Sequence, residues 1–383
     1  MDDGAGRTAV VVGAGIGGLA CAVALRRVGW QVRLVERAPE LTEVGAGLSL
    51  WSNALSALDA LGLPDVRGSG TLQASGGLRD QRGRSLQRSS GARLQQQSGV
   101  EVLVVHRADL QRRLRAELPD DAVVLGVEVT AAEQRGDRVR LSGAGSTYDA
   151  DVVVAADGVH SRVRALVLPG APAPRYTGTT AWRGITAGPL AEPPEPGVWW
   201  GPGSEVGAVP LVDGRWYWFA TADLPAGTRY ADDGVELRRR FAGWDPAVRR
   251  LVDATPPGAV LHHDLLELPA LPSYAAGRVA LLGDAAHAMT PNLGQGACQA
   301  LEDAVVLAAC VRDAGPVEGL RRYDAERRPR TQQVAKASRR FGRLVQTDSR
   351  VLGAARNALV RLTPERVALA GVRRTTSWTP PVL

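Results

Sequence analysis

Cysteine is scarce in this sequence of 383 residues. The three cysteines, Cys21, Cys298 and Cys310, are odd in number and scattered along the chain. They form neither a disulfide framework nor a Cys-x-x-Cys metal motif. We therefore expect no metal site, and we expect the protein to occupy the reducing cytoplasm.

Long hydrophobic runs are also missing. No stretch reaches the roughly 18 apolar residues that a membrane-spanning helix requires, so no integral membrane segment is expected. The first residues lead directly into a strand-like run, without the basic and apolar regions of a secretory signal. We therefore expect no signal peptide.

Lysine is almost absent, because Lys336 is the only lysine among 46 basic residues. The net charge of +6 could indicate a nucleic-acid partner. The arginines are mostly interleaved with acids, so no such partner is expected. The most basic stretch, residues 321–343, is typical of the solvated face of an amphipathic helix interrupted near Pro329. A membrane-surface or partner contact is the alternative.

The sequence does contain candidate ligand-binding residues at the ends of predicted strands, most clearly in residues 277–304. This segment predicts a short apolar strand, a Pro/Gly loop and a helix. Asp284 follows the strand, where α/β proteins bind ligands. Gly294 and Gly296 allow the backbone to approach a flat ligand, and the helix N-terminus favours an anion. A flavin has both the hydroxyls and the delocalised anion that this arrangement suits.

A second segment predicts a dinucleotide site. Residues 10–12 form an apolar strand, residues 13–18 give the G-x-G-x-x-G pattern, and a helix and a second strand follow. Gly13 permits a tight turn, Gly15 admits a pyrophosphate, and Gly18 allows close helix–strand packing. Glu36-Arg37 ends the second strand, where Glu36 can accept from a ribose hydroxyl. A chance Gly-rich turn is the alternative.

A third strand end carries Asp157-Gly158 after the β-branched run of residues 152–154, which is typical of a buried parallel strand. Together, the three segments resemble the class A FAD-dependent monooxygenases, the aromatic-ring hydroxylases. Within this family, the motif sequences are most similar to those of the short bacterial branch that includes FAD-dependent urate hydroxylases.

The resemblance implies FAD as the cofactor and assigns residues to it. The AMP and pyrophosphate half would contact Gly13, Gly15, Gly18 and the Glu36-Arg37 pair, with Val129 near the adenine. Arg107 would reach the ribityl–phosphate region, Asp284 the ribityl chain, and Asp157 both FAD and the nicotinamide. The isoalloxazine would face a loop that contains Pro291, Gly294, Gln295, Gly296, Ala297 and Cys298, and Ser49 in the loop 44–51.

Some of these residues have a structural alternative. Arg107 could instead cap a helix at the surface. FAD contacts of Ser49 and Val129 are difficult to recognise in the sequence, because contacts through the backbone do not constrain the side chain. Cys298 is better read as a packing residue than as a redox thiol. His287 is better read as structural than as catalytic.

The resemblance also implies an activity. NADH or NADPH would reduce FAD, and O₂ would give a flavin C4a-hydroperoxide that hydroxylates or epoxidises an aromatic or heteroaromatic small molecule. The alternative is a flavin-binding NAD(P)H oxidase or a non-oxygenating flavoprotein. A halogenase is disfavoured, because Lys336 lies in the C-terminal helix and no Trp-x-Trp-x-Ile-Pro element occurs. No catalytic residue is assigned beyond Tyr217 as an outside candidate.

The substrate pocket is predicted in a Trp-rich region of alternating strands. Trp182, Trp199, Trp216 and Trp218 could form its walls, although core packing is the alternative. Alternation places Trp216 and Trp218 on one face and Tyr217 on the other. Glu205 stands where a urate site would use a basic residue, so a larger neutral aromatic is favoured.

The expected fold class is α/β. A three-layer Rossmann-like FAD-binding domain would comprise residues 1–72, 98–175 and 273–320. An inserted antiparallel β-sheet substrate domain would comprise residues 73–97 and 176–272, with edge strands or a mobile loop in the polar segment 72–97. Residues 321–383 would form a helical C-terminal region, and the protein would be a monomer or a homodimer.

Overall fold

The computed structural model describes residues 6–41, 46–73, 75–90 and 99–383. Parts of the expected domain ranges, residues 1–5, 42–45 and 98 among them, lie outside these ranges, as do parts of two predicted segments. Positions 44 and 45 of the loop 44–51, and positions 74 and 91–97 of the polar segment 72–97, lie outside the described residues.

The described strands are, in chain order, β1 (Thr8–Val12), β2 (Gln31–Val35), β3 (Gly47–Trp51), β4 (Thr71–Leu72), β5 (Ser75–Asp80), β6 (Ser85–Ser90), β7 (Val102–His106), β8 (Val123–Val124), β9 (Val129–Arg135), β10 (Arg138–Gly143), β11 (Ser146–Ala150), β12 (Val152–Ala155), β13 (Arg175–Ile185), β14 (Gly197–Gly201), β15 (Ser204–Pro210), β16 (Trp216–Asp223), β17 (Leu261–Glu267), β18 (Ala275–Ala276) and β19 (Val279–Leu281). The described α-helices are α1 (Ile16–Arg27), α2 (Ser52–Ala60), α3 (Arg107–Ala116), α4 (Arg162–Val167), α5 (Asp233–Arg240), α6 (Pro246–Asp253), α7 (Asp284–His287), α8 (Gly296–Ala314), α9 (Pro316–Val345), α10 (Arg350–Leu362) and α11 (Glu365–Thr376).

A six-stranded sheet collects strands that are far apart in the sequence, in the order β18-β19-β12-β1-β2-β8. β1 pairs in parallel with β2 and β12, and β19 pairs in parallel with β12. Every residue of β12 is buried, as in parallel strands covered on both faces. The carboxyl ends of β1, β12 and β19 therefore meet at one edge of the sheet.

A seven-stranded sheet has the order β17-β13-β16-β15-β14-β5-β6. Its neighbours are antiparallel except for β14 and β5, which run in parallel. Helices α9, α10 and α11 follow the six-stranded sheet in the chain. The predicted α/β class, with a Rossmann-like domain, an antiparallel sheet and C-terminal helices, is confirmed.

The expected interruption near Pro329 is wrong, because α9 continues through this residue. Proline removes one backbone donor and usually kinks or breaks a helix. Buried residues on both sides of it, including Tyr323, Arg327, Thr331 and Val334, anchor the two halves of α9. Tertiary packing therefore outweighs the local preference.

One face of the seven-stranded sheet is a core surface. Trp182, Trp199, Trp216 and Trp218 are each at most 5% exposed and pack with residues of α5 and α6. These contacts favour the core-packing alternative, and a place for the four tryptophans in the substrate pocket stays a prediction. Their large apolar area is covered by two helices, and the Trp218 Nε1 donates to the Thr255 hydroxyl at 2.8 Å. Tyr217 projects to the opposite face, as alternation predicts, and packs near Ile185.

None of the helices in the described part of the chain combines the length and apolar character needed to cross a bilayer.

We predict that Trp218→Ala lowers the free energy of unfolding by about 3–5 kcal/mol, because it leaves a cavity in the core. Urea denaturation followed by circular dichroism measures this loss. Val212→Ala is the control, since Val212 is 60% exposed and its truncation should cost less than about 0.5 kcal/mol. A Trp218→Ala protein as stable as the control would place Trp218 outside the core.

Candidate cofactor site

The Gly-rich turn after β1 lies directly against the Asp157-Gly158 segment after β12. Gly13 has a φ of +104°, and a Cβ there would lie 2.4 Å from the Ala156 carbonyl oxygen. A Cβ on Gly18 would lie 1.9 Å from the Gly13 carbonyl oxygen. Neither position has room for a side chain, which explains the glycines at both.

Gly15 contrasts with these two glycines because the space beside it is open. It is the N-cap residue of α1, and a Cβ built there meets nothing within 4 Å. Free backbone N–H groups at a helix N-terminus attract phosphate. The turn is therefore closed where it packs on the sheet and open where a pyrophosphate would approach.

Glu36 holds this turn from the end of β2. Its carboxylate accepts from the Ala14 N–H at 2.7 Å and from the Ala38 N–H at 3.0 Å. Its carbonyl accepts from the Val127 N–H, two residues before the buried Val129. Glu36 and Val129 are thus brought to one end of the Gly-rich turn, beside the exposed Arg37.

Asp157 stabilises the loop that follows β12, the middle of the three strands, through its side-chain hydrogen bonds. Its carboxylate accepts from the Ser161 hydroxyl at 2.5 Å and from the Val163 N–H at 3.2 Å. Gly158, with a φ of +82°, completes the turn into α4. Asp157 is therefore oriented by its own loop and helix.

The third strand end exposes Asp284, at the start of α7. The preceding Gly283 has a φ of +61°, and its N–H donates to the Asp303 carboxylate at 3.1 Å. A buried carboxylate on α8 therefore fixes the turn that presents Asp284.

The loop before α8 approaches Trp51. Gly294 has a left-handed φ of +61°, and a Cβ there would lie 3.0 Å from the Trp51 Nε1. Among the described residues, this buried Nε1 has no hydrogen-bond partner. Pro291 and Gly294 are exposed, Gly296 and Ala297 are partly exposed, and Gln295 is buried. The loop thus presents mostly backbone to solvent.

Cys298 ties this loop to β3. Its Sγ donates to the Gly294 carbonyl at 3.4 Å and to the Ser49 carbonyl at 3.6 Å. Burial raises the pKa of the Cys298 thiol to about 12. The thiol therefore stays protonated at neutral pH and serves packing, and Ser49 enters the loop contact through its backbone.

Beneath these turns lies a buried ionic cluster that the motifs do not reveal. Glu302, Asp303 and Arg327 are all 0% exposed. The Arg327 Nε donates to Asp303 at 2.7 Å, and its Nη1 donates to Glu302. The His287 Nε2 also lies 2.6 Å from Asp303. His287 and Arg327 hold the pKa of Asp303 down to about 2 although burial opposes them.

The cluster extends to the loop through amides. The Asn53 Nδ2 donates to both Glu302 and Gln295, at 2.6 and 3.0 Å. Arg330 adds a second guanidinium to Glu302. In the sequence, the buried cluster is indicated by the acidic pair Glu302-Asp303 within an apolar helical run. The partner in α9 could not be identified from sequence.

Arg107 lies on the side of the site that faces the seven-stranded sheet. Its N–H donates to the Ala46 carbonyl at 2.9 Å, and its side chain is within electrostatic range of Asp284, Arg183 and Tyr217. Desolvation lowers the pKa of Arg107, Asp284 opposes this shift, and Arg183 adds to it. Arg107 therefore bridges the Asp284 turn and the sheet.

Tyr217 is an aromatic residue on the face of the seven-stranded sheet that carries Arg183. Its ring lies against Gly47, where a Cβ would be 2.4 Å from the ring. Burial raises the pKa of Tyr217 although Arg183 and Arg107 favour the phenolate. The sequence analysis named Tyr217 as an outside catalytic candidate but did not identify Arg183 as a site residue. In the sequence, Arg183 is distinguished only as a charged residue within an otherwise apolar part of a strand.

Glu205 lies on the same sheet face as Tyr217 but farther along. It pairs with Thr221, four residues from Tyr217 on β16, which corresponds to about 13 Å. Glu205 is 6% exposed and accepts from the Trp200 Nε1 at 3.3 Å. Burial raises its pKa to about 7.

This geometry defines a class: a nucleotide-binding protein whose site combines a Rossmann-type turn with a second sheet nearby. A model of the FAD binding domain family matches residues 7–338. The chain belongs to this family, and FAD is its cofactor.

Two curated relatives and one solved structure narrow the class. The chain is 38% identical to the aurachin C monooxygenase/isomerase of Stigmatella aurantiaca, over 98% of this chain and 99% of the relative. It is 37% identical to an FAD-dependent urate hydroxylase of Klebsiella pneumoniae, over 87% and 88%. The crystal structure of Klebsiella pneumoniae HpxO complexed with FAD and uric acid superposes with a TM-score of 0.91 at 33% identity, over 97% and 96%. The protein is an FAD-dependent monooxygenase.

We predict that Arg327→Met lowers the free energy of unfolding by about 3–5 kcal/mol, because it leaves two buried carboxylates short of a partner. Chemical denaturation measures the loss. Arg322→Met on the same helix is the control, since Arg322 is 58% exposed in its pair with Glu318 and should contribute less than about 1 kcal/mol. Equal losses in the two variants would contradict a stabilising role for the cluster.

We predict a pH-dependent effect of Glu205→Gln. The ordinary carboxyl pKa of 4.5 rises to about 7 in the fold. The stability that protonated Glu205 contributes is therefore full below about pH 4.5 and is lost as pH rises through 7. Relative to wild type, Glu205→Gln should gain roughly 3 kcal/mol between pH 4.5 and pH 8.

Denaturant titrations at several pH values test this, with the exposed Glu192→Gln as control. Glu192 is 81% exposed, so its variant should stay within about 0.5 kcal/mol of wild type at each pH. A pH-independent difference between Glu205→Gln and wild type would show that Glu205 is not desolvated.

Proposed function

We propose that the protein uses NADH or NADPH and O₂ to hydroxylate or epoxidise an aromatic or heteroaromatic small molecule. The observation that carries the proposal is the meeting of three strand ends at one edge of the six-stranded sheet, where Arg107 lies within electrostatic range of both Asp284 and Tyr217. The open space beside Gly15, the exposed backbone of Gly294 and the exposed carboxylate of Asp284 support this site.

The residues present fit FAD. The open space at Gly15, the exposed Asp284 and the unpartnered Trp51 Nε1 beside Gly294 are each suited to a bound dinucleotide. The proposed FAD contacts are Gly13, Gly15, Gly18, Glu36, Arg37, Ser49, Arg107, Val129, Asp157, Asp284, Pro291, Gly294, Gln295, Gly296, Ala297 and Cys298.

Bound FAD supplies the activation of O₂ with electrons from the nicotinamide. The chain supplies position and charge. Asp284 would accept from the ribityl hydroxyls, and Arg107 would pair with the phosphates. The N-terminus of α8, at Gly296, would stabilise negative charge on the flavin ring.

Tyr217 and Arg183 would contact the substrate from the sheet. A tyrosine hydroxyl beside two guanidinium groups can donate to an oxygen substituent on an aromatic ring, and Arg183 would stabilise negative charge there. Because burial keeps the pKa of Tyr217 raised, the residue is neutral and acts as a donor. We assign no proton transfer to another residue.

The substrate is proposed to be a neutral aromatic larger than a purine. Glu205 lies on the same sheet face, about 13 Å farther along the strands than Tyr217, so a purine held at Tyr217 would not extend to it, and only a longer substrate would approach its carboxylate. The relatives include both a urate hydroxylase and an aurachin C monooxygenase/isomerase. This chain has Glu205 where a urate site would use a basic residue, and that difference is the basis for proposing a substrate unlike urate.

The proposal includes the division of the chain. Residues 1–72, 98–175 and 273–320 would bind FAD, residues 73–97 and 176–272 would bind substrate, and residues 321–383 would form the C-terminal region. Support comes from the sheets, since β18 and β19 join β1 and β12 while β5 and β6 join β13–β17. We further propose a cytoplasmic monomer or homodimer.

The test measures coupled turnover under ¹⁸O₂ with NADH or NADPH and a panel of bicyclic and polycyclic aromatics. We expect one labelled oxygen atom in the product for each nicotinamide oxidised, and no stimulation by urate. Hydrogen peroxide as the only product with every compound would favour an NAD(P)H oxidase. Coupled oxygenation of urate alone would overturn the substrate proposal.

A separate binding experiment tests the FAD contacts with two variants. Asp284→Ala should raise the Kd for FAD at least tenfold, because it removes hydrogen bonds to a charged acceptor worth about 1.5–3 kcal/mol. The surface variant Asp213→Ala should bind FAD like wild type. Flavin fluorescence titration gives both constants.

A further inference from the structure

Helix α10 exposes an apolar stripe. Val351, Leu352, Leu359 and Leu362 are 77%, 61%, 63% and 80% exposed. On a helix with 3.6 residues per turn, these positions and the exposed Ala355 and Ala358 fall on one side. Val367 of α11 adds a fifth large exposed side chain, at 56%.

The inner side of α10 is firmly attached to the fold. Arg356 is 5% exposed, lies over the Trp200 ring at 5.0 Å and donates to the Val345 carbonyl at 2.6 Å. Val360 packs against the core cluster that contains Trp200 and Leu86. The helix is therefore fixed in rotation, and the stripe is its outer face.

The same segment carries most of the net charge of the protein. Residues 350–376 contain six arginines and one glutamate, a net charge of +5 in a chain with a net charge of +6. Arg350 and Arg361 flank the stripe on α10, and Arg373 and Arg374 are exposed on α11. An apolar stripe bordered by arginines is typical of a helix that lies in a membrane interface.

We propose that α10 and α11 form a peripheral docking surface for anionic lipid bilayers. The apolar stripe would enter the boundary between headgroups and acyl chains, and the flanking arginines would contact lipid phosphates. The 13 residues of α10 extend about 20 Å, so the helix would lie along the surface. A second copy of the chain is a poorer occupant, because it would bring the exposed arginines of two such segments, Arg350, Arg361, Arg373 and Arg374, close together.

The experiment is vesicle co-flotation of the full-length FAD-loaded protein. Neutral phosphatidylcholine vesicles are compared with vesicles that contain phosphatidylglycerol, at low and high salt. We expect flotation with the anionic vesicles, weakening as salt rises. Two triple variants test the two components: L352S/L359S/L362S removes apolar area, and R350Q/R361Q/R374Q removes charge.

The charge variant should bind anionic vesicles on the order of a hundredfold more weakly, and the apolar variant at least tenfold more weakly. The matched controls V212S/V235S and R249Q/R321Q/R322Q alter exposed residues elsewhere and should bind like wild type. Flavin absorbance and thermal unfolding verify that each variant folds.

Three results would overturn the proposal. Absence of flotation with anionic vesicles would exclude a lipid surface. Unchanged flotation of both triple variants would exclude this segment. A wild-type dimer that L352S/L359S/L362S converts to a monomer in sedimentation would assign the stripe to contact between copies. Neither flotation nor sedimentation depends on turnover, so failure here is distinct from failure of the proposed function.

Discussion

The ionic cluster of Glu302, Asp303 and Arg327 is the constraint on which the site depends. Asp303 accepts from the backbone of Gly283, and Glu302 reaches Gln295 through Asn53. One pair of carboxylates on α8 thus sets both the turn that presents Asp284 and the loop that presents Gly294. Charges removed from water are retained only with well-placed partners, so the position of α9, which carries Arg327, is coupled to the cofactor loops.

The parts of the site that could be predicted from sequence are those where backbone geometry requires a residue type. Gly13 and Gly18 have no room for a Cβ, and the local sequence pattern predicts the strand–turn–helix order around them. Asp157 and Asp284 follow short apolar strands, which places them at the same edge of a parallel sheet. The fold class and the nucleotide-binding turn were therefore accessible.

The parts that could not be predicted depend on contacts between distant segments. Alternation separated Trp216 and Trp218 from Tyr217 but could not indicate which face α5 and α6 would cover. The partner of Glu302 and Asp303 lies on another helix, and the continuity of α9 through Pro329 depends on side chains buried along both halves. Arg183 lies in β13 of the seven-stranded sheet, whereas Arg107 follows β7, so the two residues come close together only in the tertiary fold.

The strand order of the parallel sheet has a consequence for biosynthesis. β19, residues 279–281, pairs with β12, so all strands of the seven-stranded sheet, the last of which ends at Glu267, are translated before this partner. Domains tend to fold as units during synthesis. The inserted sheet can therefore assemble on a nascent chain whose nucleotide-binding half is still incomplete. Chain termination before residue 279 would leave the β12 edge of that half unpaired and prone to aggregation.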